Sequence, residues 1–225
     1  MAQIRPSETS FSSTFKNMKP KIKICGLKQP DNIREVIALQ PDYIGFICYP
    51  GSKRFIDLLD ADWVAGLQGV KKTGVFVDAD IDAVKTAIQQ YGFHVVQLHG
   101  AETPAYCAAL ADCGVELIKA FGIDKRFDWT ILRGYETIVD YYLFDTQSAQ
   151  HGGTGKRFDW TLLGGYPSDK LFFLSGGISV ENITDALRLY DSRLYALDLN
   201  SRFEIAPGVK DITLLRNTLQ TINDE

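Results

Sequence analysis

An aspartate closes the aromatic, apolar run Tyr141-Tyr142-Leu143-Phe144-Asp145, and a polar segment carrying Gly152, Gly153 and Gly155 follows it. The run suits a buried strand. Its acid is then delivered to the foot of a glycine-rich loop, which is how α/β enzymes build a covered site. A single aspartate in that place more often caps a turn. Other apolar runs end in the same way, however: Lys23 and Cys25 close one, Gln97 and His99 a second, Asp198 and Asn200 a third. Side chains alternate across a strand, so the members of each pair share a face, while Ile22 and Ile24 take the opposite one. Burying such polar groups without partners would cost a few kcal/mol each. Their concentration at strand ends therefore points to a functional site.

The elements that must position these residues alternate. Strands are expected at Lys21–Cys25, Tyr43–Cys48, Thr73–Val77, Val95–His99, Val115–Ala120, Tyr141–Asp145, Leu171–Ser175 and Ala196–Asn200. Helical patterns fall between and after them, at Asp31–Leu39, Leu58–Leu67, Ile81–Gln90, Pro104–Ala111, Phe127–Leu132, Phe158–Leu163, Val180–Leu189 and Asp211–Ile222. Eight regular strand–helix units predict an α/β fold, a single (β/α)8 TIM barrel over residues 21–225. A doubly wound open sheet is the alternative, but no GxGxxG follows any strand. Residues 1–20 are polar and without periodicity, and are expected to be a disordered extension. Lys125–Tyr135 and Lys156–Tyr166 are near-repeats, one strand–helix unit apart, and should form equivalent helices.

In barrels the loops after the seventh and eighth strands commonly cradle a phosphate with backbone N–H groups. Here those loops are Ser175-Gly176-Gly177-Ile178 and Asn200-Ser201, so a phosphorylated small molecule is the expected substrate. The segment Gly152–Lys156 only superficially suggests a nucleotide loop: Gln150 stands where the first glycine belongs, and Arg157 where Ser or Thr belongs. A formal net charge of −4 without a basic block argues against a nucleic-acid partner. No apolar run reaches membrane-spanning length. The four cysteines (Cys25, Cys48, Cys107 and Cys113) have neither CxxC spacing nor a histidine nearby in sequence, so they read as reduced thiols in a cytoplasmic protein without a metal.

In order and spacing, these pieces resemble the phosphoribosylanthranilate isomerase family. The matching motifs are Lys23-Ile24-Cys25-Gly26, Gly45-Phe46 with Ser52-Lys53-Arg54, Gly74-Val75-Phe76-Val77, and Gln97-Leu98-His99-Gly100. They continue with Asp145, Gly152-Gly153-Thr154-Gly155, Ser175-Gly176-Gly177 with Glu181-Asn182, and Ser201 with Glu204 and Pro207 to Asp211. The resemblance implies an Amadori rearrangement of N-(5-phosphoribosyl)anthranilate, with Asp145 as general acid, Cys25 as general base and no cofactor. It also implies Arg54 on the anthranilate carboxylate, and Gly176, Gly177, Ser201 and Arg202 around the phosphate. Gly153, Gln97, His99 and Asp198 are further expected to touch substrate, although His99 also fits a core imidazole and Asp198 a brace for the cradle. Arg202 replaces the glycine usual in the family; it is expected either to meet the phosphate or to pair outward with Glu204. Lys23 is a candidate source of positive charge for the thiol. The rival readings are another phosphosugar aldose–ketose isomerase barrel and a non-catalytic phosphate-binding barrel. Either a monomer or a homodimer is compatible with the sequence.

Overall fold

The computed structural model describes residues 19–146 and 159–224. Runs of apolar and aromatic residues form eight strands: β1 (Lys21–Cys25), β2 (Tyr43–Ile47), β3 (Lys71–Phe76), β4 (Val95–Leu98), β5 (Glu116–Ile123), β6 (Tyr141–Thr146), β7 (Phe172–Leu174) and β8 (Leu194–Leu199). They pair in parallel in sequence order, and β8 closes on β1, giving a closed barrel. The expected TIM barrel is the fold observed.

Strand alternation separates two packing layers. Ile22 and Ile24 of β1, and Tyr142 and Phe144 of β6, belong to the layer between strands and outer elements. Tyr43, Val95, Ile118, Ala120, Leu143, Phe173 and Ala196 fill the lumen. Tyr43, Tyr141 and Tyr195 form its floor; the hydroxyls of Tyr43 and Tyr195 lie 2.9 Å apart, and the Tyr141 and Tyr195 rings stack at 4.5 Å. These aromatics plug the lumen at the end where the strands begin, opposite the mouth where they end.

The helices are α1 (Pro30–Ala38), α2 (Ala61–Ala65), α3 (Ile81–Tyr91), α4 (Pro104–Ala108), α5 (Ile183–Leu187) and α6 (Ile212–Asp224). Their starts follow local chemistry. Asp60, Asp80 and Thr103 each accept a hydrogen bond from a first-turn backbone N–H, and Pro104 occupies a position whose missing N–H costs nothing.

Both near-repeats depart from expectation. They form 3₁₀ helices, Trp129–Gly134 and Trp160–Gly165, rather than α-helices. In each, an aspartate (Asp128 or Asp159) accepts from both the backbone N–H and the hydroxyl of the threonine two residues on. That tight start, with glycine at the sixth position, ends the turn before i→i−4 bonding can propagate. A short antiparallel hairpin, β9 (Glu204–Ala206) and β10 (Val209–Lys210), was not expected either. The expected N-terminal extension, except Lys19 and Pro20, lies outside the described residues, as does Gly153 with its loop.

Candidate active site

Cys25 ends β1 facing the lumen and is 3% exposed. Room for its sulfur comes from the neighbouring strand: a Cβ on Gly45 would lie 2.6 Å from Sγ, and Cys25 pairs with Gly45 in the β1–β2 register. Two residues earlier, Lys23 points the same way. Its ammonium donates to Asp198 Oδ1 at 2.9 Å, and the two side chains are 0% and 4% exposed. Lys23 and Asp198 are also opposite each other in the β1–β8 register. Asp198 therefore braces the lumen charge, and Ser175 Oγ approaches its second oxygen at 3.4 Å. Burial pushes the Cys25 thiol up; Lys23 acts against this, Asp198 adds to it and Lys210 opposes it.

Lys210 and Glu204 come from the hairpin that was not expected. Lys210 is wholly buried, and its ammonium donates to Glu204 Oε1 at 2.8 Å and to Asn200 Oδ1 at 2.9 Å. The same carboxylate holds Arg54, which donates from Nε at 2.9 Å and from Nη2 at 2.6 Å. Burial works to raise the Glu204 carboxyl, but its hydrogen bonds with Arg54 and Lys210 hold it below the usual carboxylate range. The alternative of an Arg202–Glu204 pair is thus replaced: Glu204 is bound by Arg54 and Lys210. Arg202 lies exposed on a 3₁₀ turn, Ser201–Phe203, rather than on a strand, so the alternation that would align it with Glu204 does not apply. Its charge helps to lower the Glu181 carboxyl, after hydrogen bonds from Ser179 and the Glu181 backbone.

Across the mouth, Asp145 lies near the end of β6. Its Oδ2 is 3.3 Å from His99 Nε2, and Gln97 Nε2 is 2.8 Å from His99 Nδ1. Gln97, His99 and Asp145 therefore form one chain of polar contacts, as the shared face of Gln97 and His99 implied. The Gln97 Oε1 atom is buried and has no hydrogen-bond partner among the described residues. Gly176 adjoins Asp145: it has φ +82°, and a Cβ there would come within 2.6 Å of both the Thr146 N and Oγ1. Glycine is needed at that point for both backbone conformation and close approach. Asn182 closes the following loop, accepting from Ser179 N and donating to Gly177 O, each at 2.9 Å.

The barrel thus brings Cys25, Arg54, Gln97, His99, Asp145, Gly176, Gly177, Asp198 and Ser201 to the same strand-end mouth. Sequence reasoning gave no role to Lys210 and treated Glu204 only as a possible partner of Arg202, although both stood in a matched motif. The available signal was the pair of opposite charges flanking Pro207-Gly208, a turn dipeptide that folds them toward each other.

A closed parallel barrel with thiol, carboxylate, imidazole and guanidinium groups at its C-terminal mouth has the architecture of a (β/α)8-barrel enzyme. Residues 22–221 match the family described as N-(5′-phosphoribosyl)anthranilate (PRA) isomerase. A relative of that name from Parabacteroides distasonis is 46% identical over 204 residues, covering 89% of this chain and 92% of its own length. One from Rhizobium meliloti is 37% identical over 212 residues, covering 91% and 98%. The crystal structure of phosphoribosyl anthranilate isomerase from Thermotoga maritima superposes with a TM-score of 0.81 at 30% identity, covering 92% of this chain and all of that one. Another solved isomerase of this kind, in complex with reduced 1-(o-carboxyphenylamino)-1-deoxyribulose 5-phosphate, gives a TM-score of 0.78 at 28% identity, with coverage of 92% and 100%. The chain belongs to the N-(5′-phosphoribosyl)anthranilate isomerase family.

Proposed function

We propose that this chain is an isomerase of tryptophan biosynthesis that converts N-(5-phosphoribosyl)anthranilate to 1-(2-carboxyphenylamino)-1-deoxyribulose 5-phosphate, with Asp145 as general acid and Cys25 as general base. The observation that carries the reading is the placement of Cys25 on β1 and Asp145 on β6, non-neighbouring strands of one closed barrel. An aldose-to-ketose shift needs one proton donor and one acceptor on different sides of a held sugar. In the reaction, Asp145 gives a proton to the ribose ring oxygen, and the C1′–O bond breaks as the anilino nitrogen pushes in. Cys25 then removes the C2′ proton, which leaves an enolamine that tautomerises to the ketone. The anilino nitrogen is the electron sink, so the chemistry asks for no cofactor.

Arg54 receives the anthranilate carboxylate. Glu204 grips its Nε and Nη2, fixing the guanidinium plane, and Nη1 is the donor offered to substrate. His99, itself held by Gln97, keeps the carboxylate of Asp145 in place, and both line the ribose. Gly153, Gly176, Gly177, Ser201 and Arg202 surround the phosphate, and the site belongs to a cytoplasmic protein, a monomer or a homodimer.

The decisive experiment follows consumption of phosphoribosylanthranilate by its fluorescence. Cys25→Ala and Asp145→Asn are each expected to lower turnover by about 10²–10⁴, the usual weight of one acid or base, with unchanged circular dichroism. Near-normal turnover in either variant would falsify its assigned role. Absence of turnover by the unaltered chain favours the non-catalytic barrel.

A further inference from the structure

Around Cys25 the charges do not cancel. The cations are Lys23 from β1, Arg54 from the segment after β2, and Lys210 from the hairpin; the carboxylates are Asp198 from β8 and Glu204 from the hairpin. Lys23 and Asp198 balance in formal charge, and Lys23 also meets the Cys25 thiol directly through a hydrogen bond. Arg54 and Lys210 share one carboxylate, so among the described residues this half of the site carries one positive charge in excess. Asn200, the second group at the Lys210 ammonium after Glu204, is neutral. Among the described residues Cys48 is a further titratable neighbour; burial pushes its thiol up to about 12, so it adds no charge near neutrality.

We propose that Lys210 is a positioning residue for the base, supplying the unbalanced positive charge that a thiolate at Cys25 neutralises. The proposal rests on the reading of Cys25 as general base. Its geometry runs through Gly26, the residue after Cys25. A Cβ on Gly26 would stand 2.7 Å from Asn200 Oδ1 and 2.7 Å from Arg54 Cδ. That same Asn200 oxygen accepts from Lys210 Nζ at 2.9 Å. The ammonium is therefore one hydrogen-bonded group away from the backbone that carries the thiol. Lys210 is 0% exposed, so water does not screen it. Burial lowers its pKa and the Glu204 carboxylate works to raise it, as does Cys25 when ionised. An ammonium out of water with half a counter-ion favours a second anion nearby, and the Cys25 thiolate is that anion.

The test is a pH titration of the Cys25 thiolate by its ultraviolet absorbance, taken as the difference from Cys25→Ala. Lys210→Met is expected to raise the midpoint by about one to two pH units, the scale of losing one nearby buried charge. The acid limb of kcat/KM should move with it, and Lys210→Arg should restore both. Glu204→Gln removes a negative charge from the same cluster and should move the midpoint in the opposite direction. An unmoved midpoint in Lys210→Met, with activity reduced equally at every pH, would show a structural role and overturn the proposal. If Lys210→Met does not fold, Glu204→Gln decides alone, and a midpoint unchanged or raised overturns the proposal. Full turnover by Cys25→Ala would instead remove the reading of Cys25 as base, a failure separable from that of Lys210.

Discussion

Replacing Lys23 by methionine keeps the length and most of the volume of the side chain but removes the ammonium that Asp198 binds at 2.9 Å. Both partners are almost wholly out of water. Asp198 would be left with Ser175 Oγ at 3.4 Å as its remaining side-chain donor. Breaking a buried pair by removing one partner typically costs about 3–5 kcal/mol, because a charge is left buried and uncompensated. For a chain of this size each kcal/mol lowers Tm by about 2–4 °C, so Lys23→Met should melt about 6–20 °C lower. Replacing both partners by apolar residues, Lys23→Met with Asp198→Leu, should recover most of the loss, since a buried pair contributes little net stability over packed hydrocarbon. Urea unfolding of the two single variants and the double variant gives the coupling directly. A loss under about 1 kcal/mol in Lys23→Met, or single effects that simply add, would refute the reasoning that the pair is dry and mutually dependent.

Gly26→Ala should destabilise by about 1–2 kcal/mol from the positive φ alone, and more from contact with Asn200; chemical denaturation measures it, and a neutral result would mean the turn relaxes freely. The Glu204 carboxyl is held below its ordinary 4.5, so its stabilisation is present above that value and is lost as pH falls below it through the folded-state value. Glu204→Gln should therefore flatten part of the acid limb of stability against pH, and parallel curves for the two proteins would count against the pairing with Arg54 and Lys210. Arg202→Gly should raise KM for the phosphorylated substrate about tenfold, the weight of one charge-assisted hydrogen bond, with little change in Tm; an unchanged KM places this exposed arginine outside the site.

The barrel was legible because long apolar runs at regular spacing have one good solution. β1 begins and ends where alternation predicts, and α3 differs from its expected span by one residue. Strand parity also carried through to the site, since Lys23 and Asp198, and Gln97 and His99, meet as shared faces require. What escaped was of three kinds. Elements of two or three residues, such as β9 and β10, are too short to show a period. Contacts distant in sequence, such as Arg54 with Glu204, 150 residues apart, leave no local trace. The 3₁₀ turns at Trp129 and Trp160 failed for a third reason. Their apolar spacing is helical, but aspartate side chains and terminal glycines decide how many turns are built.

The Lys23–Asp198 pair spans 175 residues. During synthesis the first strand emerges with a lysine aimed at what will become the lumen, and its counter-charge arrives only with the eighth strand. Until then, packing β1 into an incomplete barrel would bury an ammonium alone. That penalty disfavours compact states made from the first few strand–helix units, and it ties the last step of ring closure to neutralising the charge. Lys210 extends the same logic to the very end of the sheet-forming chain: the charges beside Cys25 are all in place only after the hairpin that follows the barrel has docked. A chain that ends before the hairpin would thus lack Glu204 and Lys210, two of the charges beside its thiol.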